Sequence, residues 1–310
     1  MRHVPPPPQD AVLCAAALSR ERCGGGRLSE RKPAPVAAVA STLPWNLRRI
    51  EGSDTASVRL AAARLVVPEG VVIGGAAAAW IHGAVVGIEP WPIEVTGDYG
   101  ERFKGPPGIR RRYAKLEEGD VVTIDGQLVL APLRTAFDLS RFYDVVRGTA
   151  AVDAMLNSGL VVADDFVAYV DCRPGWTGVP RSREICGLMD GGAESVQETR
   201  LRLTFVWGGL PRPETQVVVL DHFGHVVARL DVGYRERRVG GEYDGAQHFE
   251  TEAAVTRDLS RHNDLLDYGW TAFRFCKRDF RTPLVMVRRM ASALGMEPNP
   301  TRSFALLSCL

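Results

Sequence analysis

The stretch that decides the reading of this chain runs Val227-Ala228-Arg229-Leu230-Asp231-Val232-Gly233-Tyr234 and resumes at Glu242-Tyr243-Asp244-Gly245-Ala246-Gln247-His248. The first half is strand-like yet carries Asp231 in its interior, and the second closes a further strand, 239–244, with two acids two residues apart. Side chains at i and i+2 of a strand point to one face, so Glu242 and Asp244 can converge with Asp231 on a neighbouring strand. Glu198, on the preceding helix, is the natural fourth member. Like charges held together in a half-buried site repel, and the usual compensation is a divalent cation with oxygen ligands, here Mg²⁺ or Mn²⁺. Such an ion suits phosphodiester hydrolysis, since it lowers the pKa of a bound water and stabilises charge on the scissile phosphate. His248, four residues beyond Asp244, is close enough in sequence to move a proton at the same place, an unperturbed imidazole titrating near ~6.5. Plainer roles stay open: Asp231 and Asp244 as turn caps, Glu242 as the partner of Arg229 or Arg238, and His248 as a surface loop residue.

Around this stretch the periodicity predicts a helix over 194–207, stopped by Gly208-Gly209, then strands 215–220, 226–234 and 239–244, a helix 252–268, a strand 270–276 and a helix 282–294. The order is α-β-β-β-α-β-α. Upstream, short β-rich runs at 92–96, 109–113, 121–124 and 128–130 form a small sheet, and helices follow at 132–139 and 145–156. The small-residue run 71–81, ending at Gly83, reads as one closely packing helix. A capped helix is expected over 54–65, and 173–183, with two prolines and two glycines, reads as a loop or linker. The first fifty residues, with Pro5 to Pro8 and Gly24 to Gly26, read as disordered. The expected organisation is therefore a disordered segment 1–50, an α+β domain 51–185 and a second α/β domain 193–296, with the boundary near 185–192.

The composition of the 310 residues narrows the function classes. Hydrophobic residues at 45% and charged residues at 24% exclude a chain disordered throughout, a coiled coil or a fibre. Thirty-eight Lys and Arg against 37 Asp and Glu mean that any basic surface must be local. One such stretch is 257–289, with eight Lys or Arg against four Asp; Arg257 and Arg261 lie one turn apart, and they, with Lys277 and Arg278, are candidates for phosphate contact. A solvated helix face is the plainer reading. The most apolar run, 71–88, is broken by glycines and His82, so no membrane span is expected. No secretory leader is expected, and six dispersed cysteines without a Cys-x-x-Cys pair fit reduced thiols in the cytoplasm. His222 and His225 flank a turn rather than share a helical face, a poor zinc signal.

Several separated segments occur together in order: Glu198-Thr199-Arg200-Leu201-Arg202-Leu203, Gly209-Leu210-Pro211-Arg212-Pro213-Glu214-Thr215-Gln216, Leu230-Asp231, Glu242-Tyr243-Asp244-Gly245 with His248, and Gly269-Trp270. In these the last third of the chain resembles an actinobacterial family whose C-terminal domain is related to very-short-patch-repair endonucleases, within the PD-(D/E)XK nuclease superfamily. The resemblance implies a restriction-endonuclease-like αβββαβ core, DNA as substrate, and a Mg²⁺- or Mn²⁺-dependent endonuclease. It implies Glu198 as the helix carboxylate, Asp231 and Glu242 as the metal-binding pair, and His248 as a proton-transfer group. The chain departs from the superfamily at Asp244, where a Lys would orient the attacking water and steady transition-state charge. A DNA-binding or antitoxin-like regulator built on the same fold without cutting is the alternative. The middle region, through Gly74-Gly75-Ala76-Ala77-Ala78-Ala79-Trp80-Ile81-His82-Gly83 and Pro132-Leu133-Arg134-Thr135-Ala136-Phe137-Asp138, is similar to AbiEi-type antitoxins.

Overall fold

The computed structural model describes residues 67, 70–88, 90, 92–97, 109–245, 260–261 and 263–308. The segments expected at 1–50 and 54–65 lie outside these residues. The chain is a mixed α/β protein, as the alternation of strand and helix patterns predicts, with two mixed sheets in two compact units.

The first unit runs to Gly83 and takes in Glu89–Ala131. Its strands are β1 (Val72–Gly74), β2 (Ile93–Gly97), β3 (Ile109–Tyr113), β4 (Val121–Ile124) and β5 (Gln127–Leu130), in the order β3-β2-β1-β5-β4. The run expected as one helix over 71–81 divides: Val72 and Ile73 extend as the central strand, and helix α1 begins at Gly75 and ends at His82. β-Branched residues favour the pleated sheet, whereas the alanines that follow favour the helix. Gly75 makes the switch with φ +58°, and a Cβ there would lie 2.2 Å from Oε2 of Glu94. Glu94 is buried on β2 and takes two hydrogen bonds from Arg112 on β3, at 2.8 and 2.6 Å. A buried carboxylate needs such a partner.

The second unit contains residues 84–88 and 132–310. Its helices are α2 (Pro132–Phe142), α3 (Val145–Asn157), α4 (Ala163–Asp171), α5 (Val179–Leu188) and α6 (Val196–Trp207). Strands β6 (Glu214–Leu220), β7 (Val226–Tyr234), β8 (Val239–Tyr243) and β9 (Thr271–Phe275) follow, then α7 (Pro283–Leu294) and α8 (Ala305–Ser308). The sheet order is β6-β7-β8-β9, antiparallel except for the parallel β8–β9 pair, and residues 260–261 and 263–267 are helical between the last two strands.

Two readings change here. Residues 179–188 are helix rather than loop: Pro180 stands in the first turn, where its missing N–H leaves no hydrogen bond unmade, and Gly178 starts the helix at φ +84°. The compact units divide at Ala131/Pro132, not near 185–192, because α3 packs directly on α6, and α2 and α5 pack on α3 in turn. Asp153 of α3 is the bolt. Its Oδ2 accepts from Thr199 Oγ1 and Arg202 Nη2 on α6, both at 2.7 Å, and its Oδ1 accepts from Asp190 N at 2.6 Å. Arg202 donates in turn to Leu188 O, and its side chain is wholly buried. Beyond this network Leu201 and Phe205 of α6 enter a core with Val232, Val239, Phe275, Met286 and Met290. Each such side chain contributes about 1.5–3 kcal/mol on burial.

Because removing one member of a buried ion pair strands the other, Asp153→Ala is expected to cost about 3–5 kcal/mol at neutral pH. Urea unfolding against wild type measures it, and a loss within about 0.5 kcal/mol would show that Arg202 is not stranded.

Candidate functional site

The site grows out of a place where one pair of strands stops pairing while its neighbours continue. The β7–β8 ladder ends at Val232↔Gly241, whereas β7 goes on along β6 to Val217↔Leu230 and beyond, and β8 goes on along β9 through Glu242↔Arg274 and Tyr243↔Phe275. In the mouth of this fork stand Asp231 and Glu242, one residue past the last pair on each strand. Asp231 Oδ2 accepts from the Tyr243 N–H at 2.6 Å, closing with a side chain the hydrogen bond that the ladder leaves open. The close approach of β8 depends on glycine: a Cβ on Gly240 would lie 2.5 Å from Leu230 and one on Gly241 3.0 Å from Phe275.

Helix α6 supplies the next acid. Ser195 caps the helix, accepting from Glu198 N at 3.2 Å, and Glu198 Oε2 folds back to accept from Glu194 N at 2.8 Å, a variant of the capping box. The same oxygen takes a hydrogen bond from Gln216 Nε2 at 2.7 Å. Gln216 is on β6 with φ +52°, an uncommon conformation for a residue with a Cβ, and it leaves the ladder between Thr215↔Val232 and Val217↔Leu230. Its Oε1 is buried with no hydrogen-bond partner among the described residues.

Burial of Asp231, reinforced by the negative charges of Glu198 and Glu242, outweighs the Tyr243 N–H and pushes its carboxyl up to about 6. Glu242 is held differently: Arg261, from the helical residues after β8, donates to Oε1, and Arg274 Nε on β9 lies 3.9 Å from Oε2. Neither Arg229 nor Arg238 makes that contact. Arg229 forms a two-pronged pair with Glu194 at 2.8 Å, and Arg238 reaches Tyr268 O.

Of the residues expected at the site, Glu198 and Glu242 each lie near enough to Asp231 to raise its carboxyl. Asp244 lies just past β8, its N–H donating to Phe275 O at 2.7 Å, and exposed Lys277 and Arg278 follow the adjoining end of β9. His248 and Arg257 lie outside the described residues. His225 pairs with Asp221 and His222 stacks edge-on against Tyr268, so the two imidazoles serve the β6–β7 hairpin. Sequence reading passed over Gln216 and Arg274. Each is a polar residue within a strand, and Arg274 stands between Phe273 and Phe275, the same signal that exposed Asp231.

The polar side chains about the fork, the carboxylates of Asp231, Glu242 and Glu198 and the orphaned amide oxygen of Gln216, offer oxygen atoms alone, the donor type that hard divalent cations take. Among the described residues no group of three or more His, Cys, Asp or Glu is assembled as a metal cage. Glu242 is turned instead to the two guanidinium groups.

Comparison with known proteins finds two relatives in Mycobacterium tuberculosis, "Uncharacterized protein MT2308" of strain CDC 1551 / Oshkosh and "Uncharacterized protein Rv2248" of strain ATCC 25618 / H37Rv. Each is 31% identical over 187 residues, covering 59% of this chain and 67% of the relative. The chain belongs to the same family as these two proteins. No family model matches it, and no solved structure does.

The raised Asp231 carboxyl fixes the sign of a pH effect. The folded protein holds a proton there that the unfolded chain, near 3.8, has given up, so this group's stabilisation is complete below that value and is lost as pH rises through about 6. Asp231→Asn, which keeps an acceptor for Tyr243 N–H, is expected to be more stable than wild type at pH 7, the gain vanishing toward about pH 4. Denaturant titrations at both pH values test this, and an equal or lower stability at pH 7 would contradict it.

Proposed function

We propose that the second unit is a metal-dependent DNA endonuclease domain of the very-short-patch-repair-like type, with its site at the β7–β8 fork. The observation that carries this reading is the fork itself, which sets Asp231 beside Glu242 at the point where the two strands part, with Glu198 near enough to raise the Asp231 carboxyl. The resemblance of the surrounding segments to nucleases of the PD-(D/E)XK superfamily supports it.

In this reading Asp231, Glu242 and Glu198 would hold Mg²⁺ or Mn²⁺, and Gln216 orients Glu198. Such a cation would supply a water of lowered pKa and neutralise charge on the scissile phosphate. Arg261, Lys277 and Arg278, with Arg257 from the undescribed segment, contact the DNA backbone, and His248 moves a proton to or from the reacting oxygens. Among the described residues no helix is long and apolar enough to cross a membrane, and a cytoplasmic location goes with a DNA substrate.

A specific observation favours a second reading. Asp244 occupies the position of the superfamily lysine, and Glu242 is already gripped by Arg261 and Arg274. A protein that grips DNA without cutting, as part of an antitoxin-like regulator, follows if those guanidinium groups keep the carboxylate permanently.

Supercoiled plasmid and labelled single-stranded and mismatched duplexes, incubated with Mg²⁺, Mn²⁺ or EDTA, separate the readings. Metal-dependent nicking that falls to the EDTA level in Asp231→Ala is the outcome expected for the endonuclease. Retarded migration of DNA without cutting under every condition supports the regulator, and equal cutting by Asp231→Ala and wild type removes the assignment of this site.

A further inference from the structure

Residues 277–292 hold five cations, Lys277, Arg278, Arg281, Arg288 and Arg289, against the single acid Asp279, in a chain whose charges otherwise nearly balance. Local structure leaves all five at the surface. Phe280 is buried in the core with Met286 and Val287, and the Asp279 carboxylate is engaged by the Cys276 N–H at 2.8 Å. Helix α7 buries Met286, Val287, Met290 and Leu294, and its opposite face carries Val285, Arg288, Arg289 and Ser292, spaced i, i+3, i+4 and i+7. The five cations are exposed, and among the described residues none makes a side-chain hydrogen bond or an ion pair. Other exposed arginines of this unit face carboxylates, Arg229 with Glu194, Arg235 with Glu214 and Arg302 with Glu184. Like charges gathered without carboxylates repel, and the field they make favours a partner of opposite sign.

The strip starts beside the fork. Strand β9 ends at Phe275 opposite Tyr243, one residue past Glu242, so Lys277 and Arg278 leave the sheet at the end where the fork opens, and the cations continue through Arg281 onto α7. At a rise of about 1.5 Å per residue, the eight steps from Arg281 to Arg289 carry the strip on by roughly 12 Å. Resting on the DNA substrate proposed above, we infer that this strip, and the α7 arginines Arg281, Arg288 and Arg289 in particular, is the track on which the sugar-phosphate backbone of a nucleic acid lies beyond the fork. A duplex carries one negative charge per about 1.7 Å of its axis, so a strip of this length meets several phosphates at once. Four of the five cations are Arg, whose planar guanidinium grips a phosphate through two N–H donors. A membrane surface would take large apolar side chains as well, and between 277 and 292 the exposed large apolar residue is Val285 alone. Contacts of this kind hold the substrate in register without reading its sequence.

The test is the affinity of the full chain for a fluorescein-labelled duplex, read by anisotropy in EDTA across a series of KCl concentrations, which makes the result independent of metal and of cutting. Combining Arg281→Gln, Arg288→Gln and Arg289→Gln should weaken binding by about tenfold or more and lower the steepness of log K against log salt by about 2–3, since each phosphate contact contributes about 0.9. Combining Arg281→Lys, Arg288→Lys and Arg289→Lys should preserve that steepness, because the charge is kept. Circular dichroism of both variants separates a lost surface from a lost fold. Affinity of the folded Gln variant within about twofold of wild type, or an unchanged salt dependence, overturns the track, while the fork itself stands or falls on the cleavage assay. Wild-type binding to phosphatidylglycerol vesicles but not to the duplex makes a lipid surface the partner and overturns the nucleic acid, and binding to neither removes the strip as a polyanion site.

Discussion

Everything at the fork depends on where helix α6 is held, and α6 is held by a buried carboxylate. Asp153 satisfies Thr199, Arg202 and the backbone of Asp190 at once, and burial so outweighs the favourable Arg202 charge that its own carboxyl is pushed up to about 6. Thr199 and Arg202 stand one and four residues beyond Glu198, so fixing them fixes the helix turn from which Glu198 reaches Gln216. A helix buried on nearly every side needs such a device, since Arg202 would otherwise be a charge without a counter-charge in a core.

The sheet meets the helix with a complementary constraint. Gly240 and Gly241 let β8 approach β7 and β9 closely, and the pairing of β7 with β8 then stops one residue short of the two acids. Were the ladder to continue, Asp231 and Glu242 would be an ordinary cross-strand pair of like charges, which is destabilising. By parting there, the strands leave the Tyr243 N–H to the Asp231 carboxylate instead of a ladder partner. The raised Asp231 carboxyl records what burying that group, and then setting Glu198 and Glu242 beside it, costs the fold, and stability given up in this way is common at functional positions.

Cations complete the arrangement from two directions, Arg274 from a strand and Arg261 from a helical segment. Their anchorage differs, Arg274 being set in the β8–β9 ladder while the Arg261 side chain stays 37% exposed. The first unit handles the same problem rigidly, with Glu94 clasped by Arg112 across paired strands and covered at Gly75.

Local pattern was enough to place most of the second unit. The order of helices and strands around α6 to α7 follows from hydrophobic periodicity and from Gly208-Gly209, and Asp231 and Glu242 stood out as acids where a strand should be apolar. Periodicity failed where a residue's meaning depended on its partner. Gly178 and Pro180 looked like loop formers because their fit against Arg141 and at a helix start is not local information; Val72 and Ile73 were absorbed into a helix because a three-residue strand has too few residues to show a period. The unit boundary at Ala131/Pro132 was hidden for the same reason, since the Asp153–Arg202 bond joins residues 49 apart in sequence. Sequence by itself determined which residue types were available to the fork, because composition and alternation are properties of neighbouring residues. Only the tertiary structure decided that Glu242 faces Arg261 and Arg274 rather than Arg229 or Arg238, because the choice of counter-ion is made by strand register and helix placement, which bring together charges that no sequence spacing relates.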